Sequence, residues 1–311
     1  MGTGATTVKE KEEKTAAKRS TKKIVDTQAA GQEEWTMVIE PKGNLFDLQL
    51  KDVWRYRDLL VLFVMRDFKA QYKQTILGPL WHFIQPLFTT IIFFVVYSKI
   101  ANIPTDGIKP ILFYMSGIAI WNYFYSCVNS TSNTFSANAG IFGKVYFPRL
   151  VLPLSVVSSN VIKFGIQFLL LLCVMLFYAS QGEPFHFGFS WLWIPVLVVM
   201  MAFLGLGLGI IISSLTTKYR DFSVLIGFAL QLLMYATPVI YPLSFLIDKS
   251  YGWLISWNPL TPIVEAFRYA LFQQGTFSPS SLLYSLSVIL VVFFIGLITF
   301  NRVERSFMDT V

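Results

Sequence analysis

A chain of 311 residues that is 54% hydrophobic, 16% aromatic and only 14% charged lies far below the share of charged residues, about 25%, that soluble domains carry. The charge is also uneven: 25 of the Lys, Arg, Asp and Glu residues fall in the first 78 positions and 18 in the remaining 233. A charged N-terminal portion is therefore joined to an apolar body, which excludes one water-soluble core, and a net charge of +7 bordering apolar runs fits anionic lipid headgroups better than nucleic acid.

Met1 to Glu34 is rich in Lys, Glu, Thr and Ala and poor in large apolar residues, so it is expected to form a disordered tail. It contains no apolar h-region, and the expectation is that this end stays in the cytoplasm. Trp35 to Leu50 suits a short extended segment turning at Pro41 and Gly43. Lys51 to Phe68 then sets Trp54, Leu59, Leu62, Phe63 and Met65 largely opposite Arg55, Arg57, Asp58, Arg66 and Asp67, the pattern of an amphipathic helix in a membrane interface. Six apolar runs follow, Leu80 to Ile100, Ile111 to about Ala137, Leu150 to Tyr178, Trp191 to Leu215, Phe222 to Tyr241 and Ser281 to Phe300, each long enough to cross a core of about 30 Å. The predicted fold class is thus an all-α integral membrane protein with six transmembrane helices. Lys and Arg concentrate in Lys51 to Lys73, Asn138 to Arg149, Thr216 to Asp221 and Asn301 to Val311, which places both termini in the cytoplasm. The predicted division is a tail at 1–34, a cytoplasmic segment with the interfacial helix at 35–78, the six-helix domain at 79–301 and a cytoplasmic end at 302–311. The stretch 242–276 is too apolar for a free outer loop and suits re-entrant helices.

Several positions carry polarity into the apolar body. Asn122, Ser126, Asn129 and Asn133 share one helical face, and either line a polar conduit or bond neighbouring helices. Lys163 lies inside the third run, where a cation needs a partner, water or a route to the interface. Aromatic stripes, Phe83, Phe94 and Tyr97 on the first span and Tyr114, Trp121 and Tyr125 on the second, suit either sugar-ring stacking or ordinary packing. Glu265 and Arg268, three apart, are expected to pair locally. Gly205, Gly209 and Ser213 at i, i+4 and i+8 suit close helix packing and do not complete a dinucleotide fingerprint. Gly140 and Gly143 before Lys144 have the wrong spacing for a phosphate-binding loop, so no ATP site is expected in this chain. Cys127 and Cys173 cannot form a disulfide framework, and His82 and His186 lack companion metal ligands.

The segments DVWRYRDLLVLFVMRDFKAQYKQTILGPLWHFIQPL, NAGIFGKVYFPRLVLPLS, TTKYRDF, TPVIYP and NPLTPIVEAFRY, taken in that order, resemble the membrane subunits of bacterial ABC exporters of lipid-linked polysaccharides, the permeases for O-antigen, teichoic acid and capsular polysaccharide. The resemblance runs from about Trp35 to the C-terminus. It implies a permease that forms a homodimer, binds two copies of a separate ABC ATPase and exports an undecaprenyl-diphosphate-linked polysaccharide, with ATP and Mg2+ held by the ATPase and no cofactor in this chain. It further implies that Asn138, Ala139, Gly140, Ile141, Phe142, Gly143 and Lys144, followed by Arg149, form a coupling helix region (138–149) in which Ile141 and Phe142 face the ATPase. The Lys51 to Phe68 helix becomes a gate helix and 242–276 the external gate helices, and the first and fifth spans part to open the channel. Trp81, Phe88, Tyr97, Trp121, Asn122, Tyr125, Asn129 and Tyr235 are nominated for the channel. Arg66, Lys69 and Lys73 are nominated to attract a lipid diphosphate at the entrance, although as topology signals they need no ligand. The alternatives are a drug exporter of similar architecture, a multispan glycosyl- or acyltransferase, for which no catalytic His or carboxylate constellation stands out, and a membrane scaffold.

Overall fold

An apolar segment in hydrocarbon must satisfy its own amides and carbonyls, which a helix does within one segment. The computed structural model describes residues 50–73, 75–142, 147–183, 188–218, 221–247, 249 and 252–307, and among these the regular elements are helical, with no strand. The expected tail and the segment at 35–49 lie outside the described residues, as do Gly143 and Lys144. The main helices are α1 (Arg57–Tyr72), α2 (Trp81–Phe93, prolonged by the π-helical stretch Phe94–Ile100), α3 (Pro110–Ser132), α4 (Val151–Ser180), α5 (Trp193–Lys218), α6 (Phe222–Tyr235), α7 (Thr261–Phe272) and α8 (Pro279–Phe307).

Five stretches are long and apolar enough to span a membrane: Gly78–Ile100, Pro110–Ser132, Val151–Ser180, Phe189–Thr216 and Pro279–Asn301. The fifth expected span, Phe222 to Tyr241, is shortened as a helix. Its helix stops at Tyr235 after 14 residues, about 21 Å, and the chain then turns through Ala236 to Ile240 ahead of Pro242. The second expected span is also shortened, since α3 ends at Ser132 and the side-chain amide of the capping Asn133 donates to the Asn129 carbonyl at 3.0 Å.

The packing follows side-chain size. Of the five long spans α3 is the most enclosed, flanked by α2, α4 and α5, while α5 lies between α3 and α8. The glycines of α5 make that sandwich close. A Cβ on Gly205 would stand 2.6 Å from the Cys127 Cβ, and one on Gly209 would stand 2.5 Å from the Thr131 Cβ, so this stripe faces α3 as its spacing predicts. Gly207 faces the other way, where a Cβ would meet the Phe293 Cα of α8 at 2.9 Å.

Beyond α6 the chain doubles back. Ser244 donates to Asp106, in the connection between α2 and α3, at 2.7 Å. Two short helical turns, Ser244–Ile247 and Gly252–Ser256, then return the chain to Asn258, whose amide bonds the Ala236 carbonyl at 3.0 Å and the Thr237 hydroxyl at 2.9 Å. Helix α7 rises again between α3, α5 and α8 and ends at Gln273, in the left-handed region with φ 58°. Within 242–276 the described residues thus form two short helical turns and then α7, which packs beside α3, α5 and α8. Its Glu265–Arg268 pair, 3.2 Å apart, is almost wholly buried, at 2% and 1% exposure, and is no surface contact.

Candidate permeation site

A polar cavity of about 230 Å³ lies where α1 meets the starts of α2 and α4's middle turns. Helix α1 contributes Gln71, α2 contributes His82, Gln85 and Pro86, α3 contributes Asn122, Tyr125 and Ser126, and α4 contributes Asn160, Lys163 and Gln167. The geometry follows from helical spacing: Asn122, Tyr125 and Ser126 fall on one face of α3, and Asn160, Lys163 and Gln167, at i, i+3 and i+7, fall on one face of α4. Asn122 donates to Gln167 across the cavity wall at 3.3 Å, and the Asn160 amide reaches Cys127 at 4.0 Å. Pro86, inside α2 and beside the cavity, has no amide hydrogen to offer the His82 carbonyl one turn back. The two readings of the α3 polar stripe are thus combined, since Asn122 bonds a neighbouring helix and lines the cavity together with Ser126. Asn129 lies further along, half-buried, with its carbonyl accepting from Ser132 and Asn133.

The entrance residues divide. Lys69 and Lys73 are exposed on α1. Arg66 is occupied: it pairs with Asp67 at 2.8 Å, donates to Asn138 Oδ1 at 3.3 Å and lies 4.7 Å over the Phe63 ring. Phe63 in turn packs on Phe147, ring centroids 5.7 Å apart, in a small cluster with Val151, Leu152 and Ile141. Hence α1 is fastened to the segment after α3 by a polar link and an apolar one. Leu59 and Leu60 pack against the same cluster, whereas Leu62 and Met65 are exposed together with Trp54 on the preceding turn. Ile141, expected to face the ATPase, is half-buried and packs against this cluster. Ala139 and Phe142 belong to the short helix Ala139–Phe142, in which Gly140 is exposed and Arg149 beyond it is buried.

The aromatic candidates also separate. Trp81 and Phe88 are exposed on α2 and Tyr235 is exposed at the end of α6. Tyr97 lies within electrostatic reach of Tyr235 and packs edge-on to Phe93 at 5.3 Å. Trp121, by contrast, is 3% exposed and packs on Phe124 in the core, apart from the cavity. At the opposite end of α3, Lys109 pairs with Glu183 at 2.7 Å, and the carboxylate holds the lysine above its ordinary pKa.

Sequence reasoning missed Gln71, Gln85, Asn160 and Gln167. Asn160 and Gln167 were available as companions of Lys163 on one face; Gln71 and Gln85 become neighbours only through packing. Among the described residues no group of His, Cys, Asp or Glu is arranged to hold a metal ion. The arrangement can hold a polar or anionic group at one end of a helical bundle.

Taken together, the five stretches long and apolar enough to span a membrane define an all-α polytopic membrane protein with a polar cavity between its helices. The sequence profile described as ABC-2 type transporter matches residues 58–272, and the chain belongs to that family. It is similar to the O-antigen export system permease protein RfbA of Klebsiella pneumoniae, 31% identical over 254 residues that cover 81% of this chain and 94% of the relative. The RfbA protein of Myxococcus xanthus is 28% identical over 246 residues, covering 78% and 91%. The polysialic acid transport protein KpsM of Escherichia coli is 24% identical over 247 residues, covering 79% and 93%.

Proposed function

We propose that this chain is the permease subunit of an ATP-driven exporter that carries a polyprenyl-diphosphate-linked polysaccharide of the O-antigen class across a bacterial cytoplasmic membrane. The observation that carries this reading is the match, over 94% of its length, to a protein named as an O-antigen export permease. The polar cavity beside an amphipathic helix supports it, because a lipid-borne glycan needs polar groups within reach of the bilayer. On this reading both termini are cytoplasmic, α6 and the turn after it complete a sixth crossing, and the chain works as a homodimer. Two copies of a separate ATPase bind ATP and Mg2+, and this chain needs no cofactor of its own.

The segment Asn138 to Lys144 meets the ATPase. Closure of the ATPase pair moves this segment, and the Arg66–Asn138 and Phe63–Phe147 contacts pass the displacement to α1. The exposed apolar faces of α2 and α6 meet their counterparts in the second copy, with Trp81, Phe88 and Tyr235 along the path. The KpsM match favours capsular polysaccharide as the second reading, at lower identity. Deletion of the gene is expected to leave the lipid-linked glycan inside the cell, and affinity purification of the full chain is expected to recover an ABC ATPase. An unchanged cell surface in the deletion strain, or a chain purified without any ATPase, overturns the proposal.

A further inference from the structure

Lys163 is a cation whose place in the bundle packing alone does not explain. It stands half-buried in α4, facing the cavity, and makes no hydrogen bond or ion pair among the described residues. Asp67 is within electrostatic reach, yet its carboxylate is held by Arg66 at 2.8 Å. The cavity wall offers amides, hydroxyls and the His82 ring but no carboxylate. A lysine in a spanning helix is retained at a cost unless an anion or water completes it.

Place and size narrow the choice. Helix α4 has 30 residues, about 45 Å, which exceeds the hydrocarbon core by about 15 Å. Lys163 shares its cavity with Gln71, near the end of the interfacial helix α1, and with His82, in the first turn of α2. The cavity therefore extends from the end of α1 and the first turn of α2 to the middle turns of α3 and α4, where Asn122 and Lys163 stand. The cavity, about 230 Å³, equals the volume of about eight liquid waters. That is room for a diphosphate and the hydroxyls beside it, but not for a glycan chain.

We propose that this cavity binds a lipid-borne phosphate ester. Lys163 pairs with the phosphate oxygens, and the side-chain amides of Gln85, Asn122 and Gln167 bond the adjoining hydroxyls. The assignment rests on the export reading above and names the part of the substrate that this chain holds. Two sources share the chemistry, the diphosphate of a polyprenyl-linked sugar and the headgroup of an ordinary anionic phospholipid.

The test uses the full chain in nanodiscs of zwitterionic lipid, with polyprenyl diphosphate as the probe and the matching polyprenol as its uncharged control. Lys163→Met is expected to weaken binding of the diphosphate roughly 10- to 100-fold, the loss of a charge-assisted contact, and to leave polyprenol binding unchanged. Lys163→Arg should retain most of the affinity. Because the lysine has no internal partner, Lys163→Met should melt at or above the wild-type temperature, whereas a structural lysine would lower it. Competition by polyprenyl diphosphate-sugar but not by phosphatidylglycerol assigns the site to the carrier, and equal competition by both assigns it to lipid phosphate in general. Either result supports the site. Unchanged diphosphate binding in a folded Lys163→Met overturns it, and if that variant also restores surface glycan to a deletion strain, the site fails while the export reading stands.

Discussion

Removing the guanidinium of Arg268 should be among the most damaging single changes in the bundle. The side chain is 1% exposed and serves four partners at once. Nη1 donates to the Pro238 carbonyl at 2.6 Å and meets Glu265 Oε1 at 3.2 Å, Nη2 donates to the Val239 carbonyl at 2.7 Å, and the guanidinium lies 3.7 Å over the Phe113 ring. Arg268→Met keeps much of the volume but strands a buried carboxylate and two carbonyls. Breaking a buried pair from one side costs about 3–5 kcal/mol, and each buried carbonyl left unsatisfied adds up to about 1–3 kcal/mol, although contributions from touching groups do not add. The expected loss is at least about 3 kcal/mol, read as a shift in denaturation by mixed detergent micelles, alongside export in a deletion strain. Arg268→Met combined with Glu265→Leu should recover part of the loss, with a coupling energy of about 1–3 kcal/mol, because the stranded carboxylate is gone. If Arg268→Met falls within about 0.5 kcal/mol of wild type, or the double variant is strictly additive, the pair does not lock the re-entrant segment.

The remaining expectations are local. Gly209→Ala drives a Cβ to 2.5 Å from that of Thr131 and should cost about 1–3 kcal/mol by overpacking, whereas Gly165→Ala, with nothing within 4 Å, should stay within about 0.5 kcal/mol; equal effects in the same denaturation assay would refute the close α3–α5 approach. Phe63→Ala empties the 6%-exposed site against Phe147 at a cost of about 3 kcal/mol, so hydrogen exchange should quicken in α1 and at the start of α4 before the rest of the bundle, and a uniform change would count against a local fastening. The Lys109–Glu183 pair is exposed, so its worth is small, but its sign is fixed. Glu183 raises the folded lysine above its reference value of 10.5, the contribution is complete below that value, and it is lost as pH rises through the folded one. The melting difference between wild type and Glu183→Gln should persist at neutral pH and close only above that range; a gap already closed near neutrality would exclude the pair as its source.

Hydropathy and helical period were enough to read the long apolar helices and the face of α5 that carries Gly205 and Gly209, because each is a property of one segment. The length of α6 was not legible in that way. Thr237, Val239, Ile240 and Tyr241 count as membrane-compatible, yet the helix stops before them. The carbonyls freed by that stop, at Ala236, Pro238 and Val239, are satisfied by Asn258 and Arg268, more than 20 residues further along the chain. A window of adjacent residues carries no information about such partners. The direction of Ile141 was hidden for the same reason: an isoleucine in a short amphiphilic helix reads as a free docking side chain until Phe63 and Phe147 are placed beside it.

The cavity and the segment nominated for ATPase coupling are both in contact with α1. Arg66 and Phe63 hold the helix to Asn138, Ile141 and Phe147, while Gln71, five residues beyond Arg66, lines the cavity that contains Lys163. Five residues of helix span about 7.5 Å, too short for a rigid helix to absorb a movement at one end without passing it to the other. A displacement of the turn Ala139–Phe142 therefore reaches the cavity wall through α1 unless Arg66–Asn138 and Phe63–Phe147 both let go. Arg66, nominated from sequence as a ligand for lipid phosphate, has its charge committed to this joint, and among the described residues of α1 and the cavity Lys69, Lys73 and Lys163 are the cations in no ion pair with a described residue.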